Sequence, residues 1–432
     1  MNKYNKFIFK KYEFNQESKV LDLFYSLDEE INFKESFVFG FDFVDYDKTI
    51  LDQAFFSLFI MAGVSYYKSF MPSHIEIDNN NLDEASKAFF ERTYEKGLGE
   101  LFYVNQLDPS TKINFPFIEK DSTAKTLSAL NKNKLIGIGG GKDSLLTLEI
   151  LRNSGQPIVT WSVGHRDQLS PLVELMGTKH LFIDRIIDKQ ILELNSQGAM
   201  NGHIPISAIL ACTGTVVSIL SGNCEVVVSN EKSANEPSLS YQGIDINHQY
   251  SKSSVFEQDY QEYLKSELDN YSHYYSFLRP LGELYIAELF SKVGFAKYKS
   301  VFSSCNRAFT QNNNQIFWCG ECAKCAFSFL IFTPFIDKEE LEDLWNDKNL
   351  LLDPNLEKTY KELLGINGEK PLDCVGEIRE SRLAMEMAKK IYPELTKYQY
   401  ELDDNYNYQE IGPDLMPEEV RIILLKALGE KN

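Results

Sequence analysis

LIGIGGGKDSLLTLE, residues 135–149, is the stretch whose reading decides the fold. A short apolar run from Leu135 to Ile138 leads into Gly139, Gly140 and Gly141, then Lys142, Asp143 and Ser144, after which leucines recur at helical spacing. The order is strand, tight loop, helix. Glycines lack a Cβ, so backbone N–H groups can approach an anion, and the start of the next helix adds unpaired donors and the positive end of its dipole. The lysine directly follows the glycines and an aspartate precedes the serine, so the loop is not G-x-x-x-x-G-K-[ST], and it is not G-x-G-x-x-G either. The stretch predicts a phosphate cradle opening a helix.

The chain around it has 432 residues, enough for two or three domains. Lysine plus arginine number 44 against 63 aspartates and glutamates, a net charge of −19. Such a surface repels phosphate backbones and argues against nucleic acid as a partner. Hydrophobic residues make up 43%, too many for a disordered chain. The N-terminus MNKYNKFIFKKYEF lacks a signal peptide's apolar core, and the apolar runs Phe55–Val64 and Ala326–Ile336 are too short or interrupted to span a bilayer. The expectation is a cytoplasmic protein with no membrane partner, whose seven cysteines stay reduced.

Residues 1–125 differ in texture from the rest of the chain. Lys6–Tyr12, Val20–Tyr25 and Ser36–Phe43 are aromatic and β-branched, which predicts a small antiparallel sheet; Tyr46–Lys68 and Asp83–Lys96 predict helices. This part is expected to be a β-rich α+β accessory domain. From residue 126 to 300 strand and helix alternate. Pro157–Val163, His180–Asp184 and Glu225–Ser229 read as buried strands, with helices near Ser170–Met176 and Ile204–Leu220 between them, which implies βαβ units and a parallel sheet. Ligands of such sheets sit beyond the carboxyl ends of the strands.

Two polar stretches stand out there. Asn201, Gly202 and His203 precede the helix expected from Ile204, and residues 229–253 form a connection long enough to suggest a binding role. The second carries Asn230, Glu231, Lys232, His248 and Lys252. Downstream, Arg279 is placed either to clamp a carboxylate or phosphate or to pair with Glu283.

Cys305, Cys319, Cys322 and Cys325 fall within twenty-one residues, and repeated C-x-x-C spacing aims sulfurs at one ion. Four thiolates satisfy a tetrahedral zinc ion and leave no place for water, so the site is structural; an iron centre accepts the same set. Cys212, Cys224 and Cys374 have no such company and are expected to pack in the core. Beyond Phe335 the chain is helical and charged, with helices expected at Lys338–Trp345, Asn355–Leu364, Ile378–Ile391 and Pro417–Leu428, so residues 301–432 read as a helical region carrying the four-cysteine metal site. Asp373–Glu377 is a less polar interruption that can lie near the site.

The glycine loop resembles the SGGxDS loop of the ATP pyrophosphatases (the PP-loop superfamily): Gly140, Gly141, Asp143 and Ser144 match, and Gly139 stands where serine is usual. The resemblance implies an α/β, adenine-nucleotide alpha-hydrolase-like domain with a parallel sheet. In it Gly139 to Ser144 hold the pyrophosphate part of ATP, and Asp143 lies near Mg2+. Together with the four cysteines, the loop is similar to that of the 7-cyano-7-deazaguanine synthases, which activate a carboxylate with ATP, although their size fits poorly. Other segments resemble the UDP-N-acetylmuramoyl-L-alanyl-L-glutamate epimerases: Ala199–Pro205, Ser229–Ser233 with Glu236, Asn247–Ser253, Ser304–Phe309, Trp318–Cys325 and Asp373–Glu377. That resemblance spans residues 134 to 385. It implies an ATP- and Mg2+-dependent inversion of the terminal glutamate of a UDP-linked muramoyl dipeptide in peptidoglycan biosynthesis, releasing AMP and pyrophosphate.

The chemistry fits the residues. A proton beside a carboxylate is very weakly acidic, because its loss places a second negative charge next to the first; an acyl-adenylate removes that obstacle. His203 and His248 are the histidines of the polar stretches and the first candidates to carry the proton, with Glu231 and Lys232 in reserve. Lys142, Lys252, Arg279 and Arg307 are candidates to neutralise phosphates, and Asn201, Asn230 and Lys232 to bind substrate. A deazaguanine-type ligase would consume ammonia without stereochemical change, and a zinc-stabilised nucleotide-binding module would not turn over at all.

Overall fold

The computed structural model describes residues 3–78, 81–119, 133–269, 271–309, 315–366 and 370–429. The chain begins with an antiparallel meander, β1 (Lys6–Asn15), β2 (Val20–Leu27) and β3 (Ile31–Phe39), followed by β4 (His74–Ile77), which runs parallel to β1. Alternation sets its sides: Leu21, Leu23, Tyr25 and Leu27 of β2 are all buried. Between β3 and β4, the helix Lys48–Ala62 is capped by Asp47, whose carboxylate accepts from the Thr49 N–H at 2.8 Å and the Ile50 N–H at 3.2 Å. With the short helix after it, the run Lys48–Tyr67 is long and apolar enough to cross a membrane, more than the sequence suggested. It serves instead as a core helix, 78% of its apolar window being buried in the fold.

The alternating part supplies β5 (Lys134–Gly137), β6 (Ile158–Val163), β7 (His180–Ile186) and β8 (Glu225–Val228). The long polar connection after β8 is more ordered than expected. It contains a hairpin, β9 (Leu239–Tyr241) and β10 (Ile244–Ile246), turned by Gln242 and Gly243 at positive φ, between two short 3-10 turns. A further strand, β11 (His273–Ser276), follows the helix Ser254–Leu268 and pairs in parallel with β8. One nine-stranded sheet results, in the order β11-β8-β5-β6-β7-β3-β2-β1-β4, with the β11 to β7 block parallel throughout and β3 antiparallel to β7.

The meander is therefore not a separate small sheet. Ser36 to Phe39 pair with Ile186 to Ile183, so it extends the parallel block. Adjacent residues of the central strands face opposite sides: Leu135, Val226 and Tyr274 point into one core, Ile136, Val227 and Tyr275 into the other. The first core holds the meander, Lys48–Ala62, the uncharged and largely buried helix Ile206–Ser221 and Ser254–Leu268. The second holds the helix Lys142–Asn153 and the C-terminal helices, among them Glu283–Val293, Ala323–Phe332 and Ile378–Lys389. The change in texture near residue 125 breaks neither sheet nor core; residues 120–132, where it falls, lie outside the described residues, as does Gly368 in the tail. Chain order reverses at β5: β6 and β7 lie on one side, β8 and β11 on the other. A crevice opens at that switch point, beyond the carboxyl ends of β5 and β8.

Candidate active site

The glycine loop fills the switch point. Gly140 has φ +89°, and a Cβ there would lie 2.6 Å from the Phe309 ring; a Cβ on Gly141 would lie 2.7 Å from Ser304 Oγ. Gly139 has no neighbour within 4 Å of its Cβ position, so a serine at the position where the pyrophosphatases usually carry one would meet open space. Gly141 caps the helix Lys142–Asn153 without a side-chain hydrogen bond, which leaves first-turn N–H groups for a ligand. Phe309 and Ser304 belong to the cysteine segment, and the Ser303 N–H donates to the Gly140 carbonyl at 3.0 Å. The C-terminal region thus roofs the loop.

Loop and roof enclose a cavity of about 430 Å3, lined by Gly139, Gly141, Asp143 and Ser144, by Ser229 and Asn230 after β8, and by Lys252, Lys324 and Cys374. A smaller cavity of about 150 Å3 adjoins it, sharing Gly137, Gly139, Ser229 and Asn230, with Trp161, Val163, Leu210 and Tyr274 as apolar walls.

Lys142 does not line either cavity. Its ammonium is buried beneath the loop, 2.6 Å from Asp143 Oδ1 and paired with Glu283. Lys324 Nζ reaches Glu283 Oε1 at 3.3 Å and donates to the Cys374 carbonyl. Although burial pushes the Glu283 carboxyl up, the Lys142 and Lys324 ammoniums hold it well below its usual range. Burial, with Glu283 and Glu231 nearby, raises Asp143 against the pull of Lys142. Among the described residues, the cations facing the cavity are Lys252 and Lys324, the second of which the sequence did not single out.

His203 precedes the helix Ile206–Ser221 and His248 follows the hairpin; their rings lie 4.3 Å apart. Both address Glu100, in the helix Gly99–Val104: His248 Nδ1 is hydrogen-bonded to its carboxylate and His203 Nδ1 lies 4.0 Å from it. The His248 ring and the Cys374 thiol also interact electrostatically. Lys252 Nζ donates to Cys374 Sγ at 3.1 Å. Cys374, expected in the core, is thus a half-buried wall of the cavity, whereas Cys212 and Cys224 are buried as expected.

These contacts set the charges. Burial pushes the Cys374 thiol up, but Lys252 and His248 outweigh it and bring it to about 6. Burial pushes His248 down, but Cys374 and Glu100 lift it to about 9. His203, buried and beside the His248 charge, falls to about 4 and stays neutral. A thiolate–imidazolium pair anchored on Glu100 therefore exists from about pH 6 to about pH 9.

The remaining candidates have more varied surroundings. Arg279 is buried and serves the protein itself, donating to Glu257 at 2.9 Å and to the Glu231 carbonyl at 2.8 Å, and also to the Lys252 carbonyl. It neither reaches the cavity nor pairs with Glu283; it fixes the loop that presents Lys252. Glu231 is buried and accepts from Ser233 Oγ at 2.9 Å, with its charge felt at Lys252. Lys232 points outward to Glu410 at 3.2 Å, and Arg307 is exposed and paired with Glu321. Asn201 accepts from Lys68 Nζ at 3.1 Å, near His203 but outside both cavities.

Cys305, Cys319, Cys322 and Cys325 converge, their sulfurs all within 4.8 Å of one another. Cys305 and Cys322 Sγ are 3.9 Å apart and Cys319 and Cys325 Sγ 3.7 Å, far longer than a disulfide. A tetrahedral ion with Zn–S bonds of about 2.3 Å requires sulfur separations of about 3.8 Å. Gly320 at φ +70° turns the first knuckle, and the Glu321 N–H donates to Cys319 Sγ at 3.3 Å. The donor set fits a structural metal.

The MurL N-terminal domain model matches residues 1–277 and the MurL C-terminal domain model residues 301–397. A UDP-N-acetyl-alpha-D-muramoyl-L-alanyl-L-glutamate epimerase of Xanthomonas oryzae pv. oryzae is 37% identical over 383 residues, 88% of this chain and 83% of its own. Proteins of the same name from a Micromonospora species and from Salinispora tropica are 37% and 36% identical, each over 76% of this chain and over 73% and 72% of their own lengths. The two domain matches cover every strand of the sheet and the roof over its glycine loop, and the chain belongs to the MurL family, the UDP-N-acetyl-alpha-D-muramoyl-L-alanyl-L-glutamate epimerases.

Proposed function

We propose that the chain inverts the terminal L-glutamyl residue of UDP-N-acetylmuramoyl-L-alanyl-L-glutamate after ATP has adenylated its carboxylate, with AMP and pyrophosphate as by-products. One observation carries this reading: the glycine loop and Cys374, which Lys252 and the His248–Glu100 pair support, line a single cavity, so activation and proton transfer have one place to occur. Gly139 to Gly141 and the N–H groups before Asp143 and Ser144 receive the phosphates, and the apolar side cavity by Trp161 takes the adenine. Asp143, which lines the cavity, would hold Mg2+, which when bound supplies positive charge to the departing pyrophosphate. Lys252 and Lys324 add the local positive field that a chain of net charge −19 otherwise lacks.

Adenylation turns the carboxylate into a neutral acyl group, and its Cα proton becomes removable. His203 and His248 handle protons at the site, the first neutral and the second charged. Water then cleaves the adenylate of the inverted residue. The family relatives favour this reading over an ammonia-consuming ligase. The test is incubation of the purified protein with ATP, Mg2+ and the L-glutamyl precursor in deuterated water. AMP, a D-glutamyl product and deuterium at Cα are expected; a D-product without deuterium rules out proton exchange, and absence of AMP rules out adenylation.

A further inference from the structure

The two histidines cannot both act as bases. His248 carries its proton through neutral pH, with its ring engaged by Glu100 and by Cys374. It has no free lone pair for a second proton. His203 lies against the same ring, so the pair occupies one place in the site. The cavity wall carries two groups able to accept a proton, the Asp143 carboxylate, which the adenylation reading gives to Mg2+, and the sulfur that His248 and Lys252 hold.

We propose that Cys374, held between Lys252 and His248 in the wall of the glycine-loop cavity, is the base that removes the Cα proton of the activated glutamyl residue. This rests on the adenylation reading above, since an unactivated carboxylate leaves the proton out of reach. In the step the Cα–H bond breaks and an S–H bond forms at Sγ, while the electron pair passes into an enolate on the acyl oxygen. Solvent water on the opposite face returns a proton to Cα as the pair flows back, and the Cys374 thiol yields its own proton to solvent, so no net proton is consumed.

The geometry favours sulfur in three ways. Lys252 is half-buried, with its ammonium 3.1 Å from Cys374 Sγ and in the field of the Glu231 carboxylate, so it is a fixed counter-charge. Lys324 binds the Cys374 carbonyl and Glu283, which locks this backbone to the floor of the loop. Glu100 holds the His248 ring in place against the thiolate. A thiolate so stabilised is present at neutral pH and is weakly hydrated in a half-buried wall. Asp373, next in the chain, is tied to Asn306 of the roof, so the residue is fixed from both sides.

The zinc-loaded, full-length Cys374→Ala and Cys374→Ser variants test this in the deuterium assay, with AMP release and Cα labelling followed separately. Cα labelling and D-product are expected to fall by about 100-fold or more, while substrate-dependent AMP release persists within a few-fold as the adenylate is hydrolysed unproductively. Labelling at the wild-type rate overturns the proposal. An equal loss of AMP and labelling overturns it too, because the side chain then only shapes the cavity. If wild type itself releases no AMP, the adenylation reading fails, a result distinct from either. Should the variants not fold, wild type is treated with iodoacetamide and mapped by peptide mass. Modification at Cys374 that substrate blocks and that abolishes labelling supports the proposal; a Cys374-alkylated enzyme that still labels Cα overturns it.

Discussion

Gly139 and Gly140 are neighbours with opposite tolerances. Open space surrounds the Cβ position of Gly139, whereas Gly140 combines a left-handed backbone with a 2.6 Å approach to Phe309. Gly139→Ser should therefore keep AMP formation at or above the wild-type rate, the new hydroxyl adding a donor to the cradle. Gly140→Ala incurs about 1–3 kcal/mol of backbone strain and pushes the Cys305 segment off the loop, so AMP formation should fall at least tenfold; a steady-state AMP assay on the pair checks both. The same scale shows what a sequence hides. The loop was legible because its chemistry lies in six consecutive residues, Gly139 to Ser144. Cys374 was not, because what makes it reactive comes from Lys252, 122 residues away, and from His248, itself tied to Glu100 across 148 residues. Lys324 was hidden for the same reason: between Cys322 and Cys325 it reads as a spacer, and only the fold lays it against Glu283. Arg279 errs the other way, since a buried guanidinium bound to backbone carbonyls looks in sequence like a ligand clamp.

At the scale of elements, the cysteine knuckle and the glycine loop form one mechanical unit. Ser303, two residues before Cys305, binds the Gly140 carbonyl, and Phe309 closes over Gly140. The four cysteine sulfurs cluster where this segment meets the helix Ala323–Phe332, whose own residue Lys324 reaches the cavity. Structural zinc contributes about 10–16 kcal/mol of apparent binding energy in isolated fingers, so its removal should be felt well beyond the knuckle. Prolonged chelation, or Cys322→Ser, is expected to lower the melting temperature markedly and to abolish AMP formation together with epimerisation. Retained AMP formation by metal-free protein would show that the roof stands without the ion. Among elements, the long apolar helices and the alternating strands could be read from periodicity. β11 and the β9–β10 hairpin could not: three or four residues are too short for a period, and β11 is a strand only because β8 offers it a parallel edge.

Over the whole molecule the question is whether the N-terminal segment, up to residue 119, stands apart. A Phe- and Tyr-rich texture suggested an accessory unit, yet β3 pairs with β7, and Glu100 of this segment anchors His248 across the site. The seam also contains a buried ion pair: Arg185 of β7 binds Glu35 of β3, and its guanidinium donates to Ser65 Oγ at 2.8 Å. Both partners are shielded from water, with Glu35 fully buried. Glu35→Ala leaves an uncompensated guanidinium in that seam, which costs about 3–5 kcal/mol. If the meander were an independent domain, the loss would be confined to it, and calorimetry would split into two transitions with the substrate-stabilised one unmoved. A single sheet over a shared core implies instead one transition, shifted down as a whole, in which binding of ATP raises the melting temperature of wild type and variant alike. Two separable transitions in Glu35→Ala would mean that the sheet is continuous in shape but not in cooperativity, and that the link from Glu100 to His248 spans two folding units.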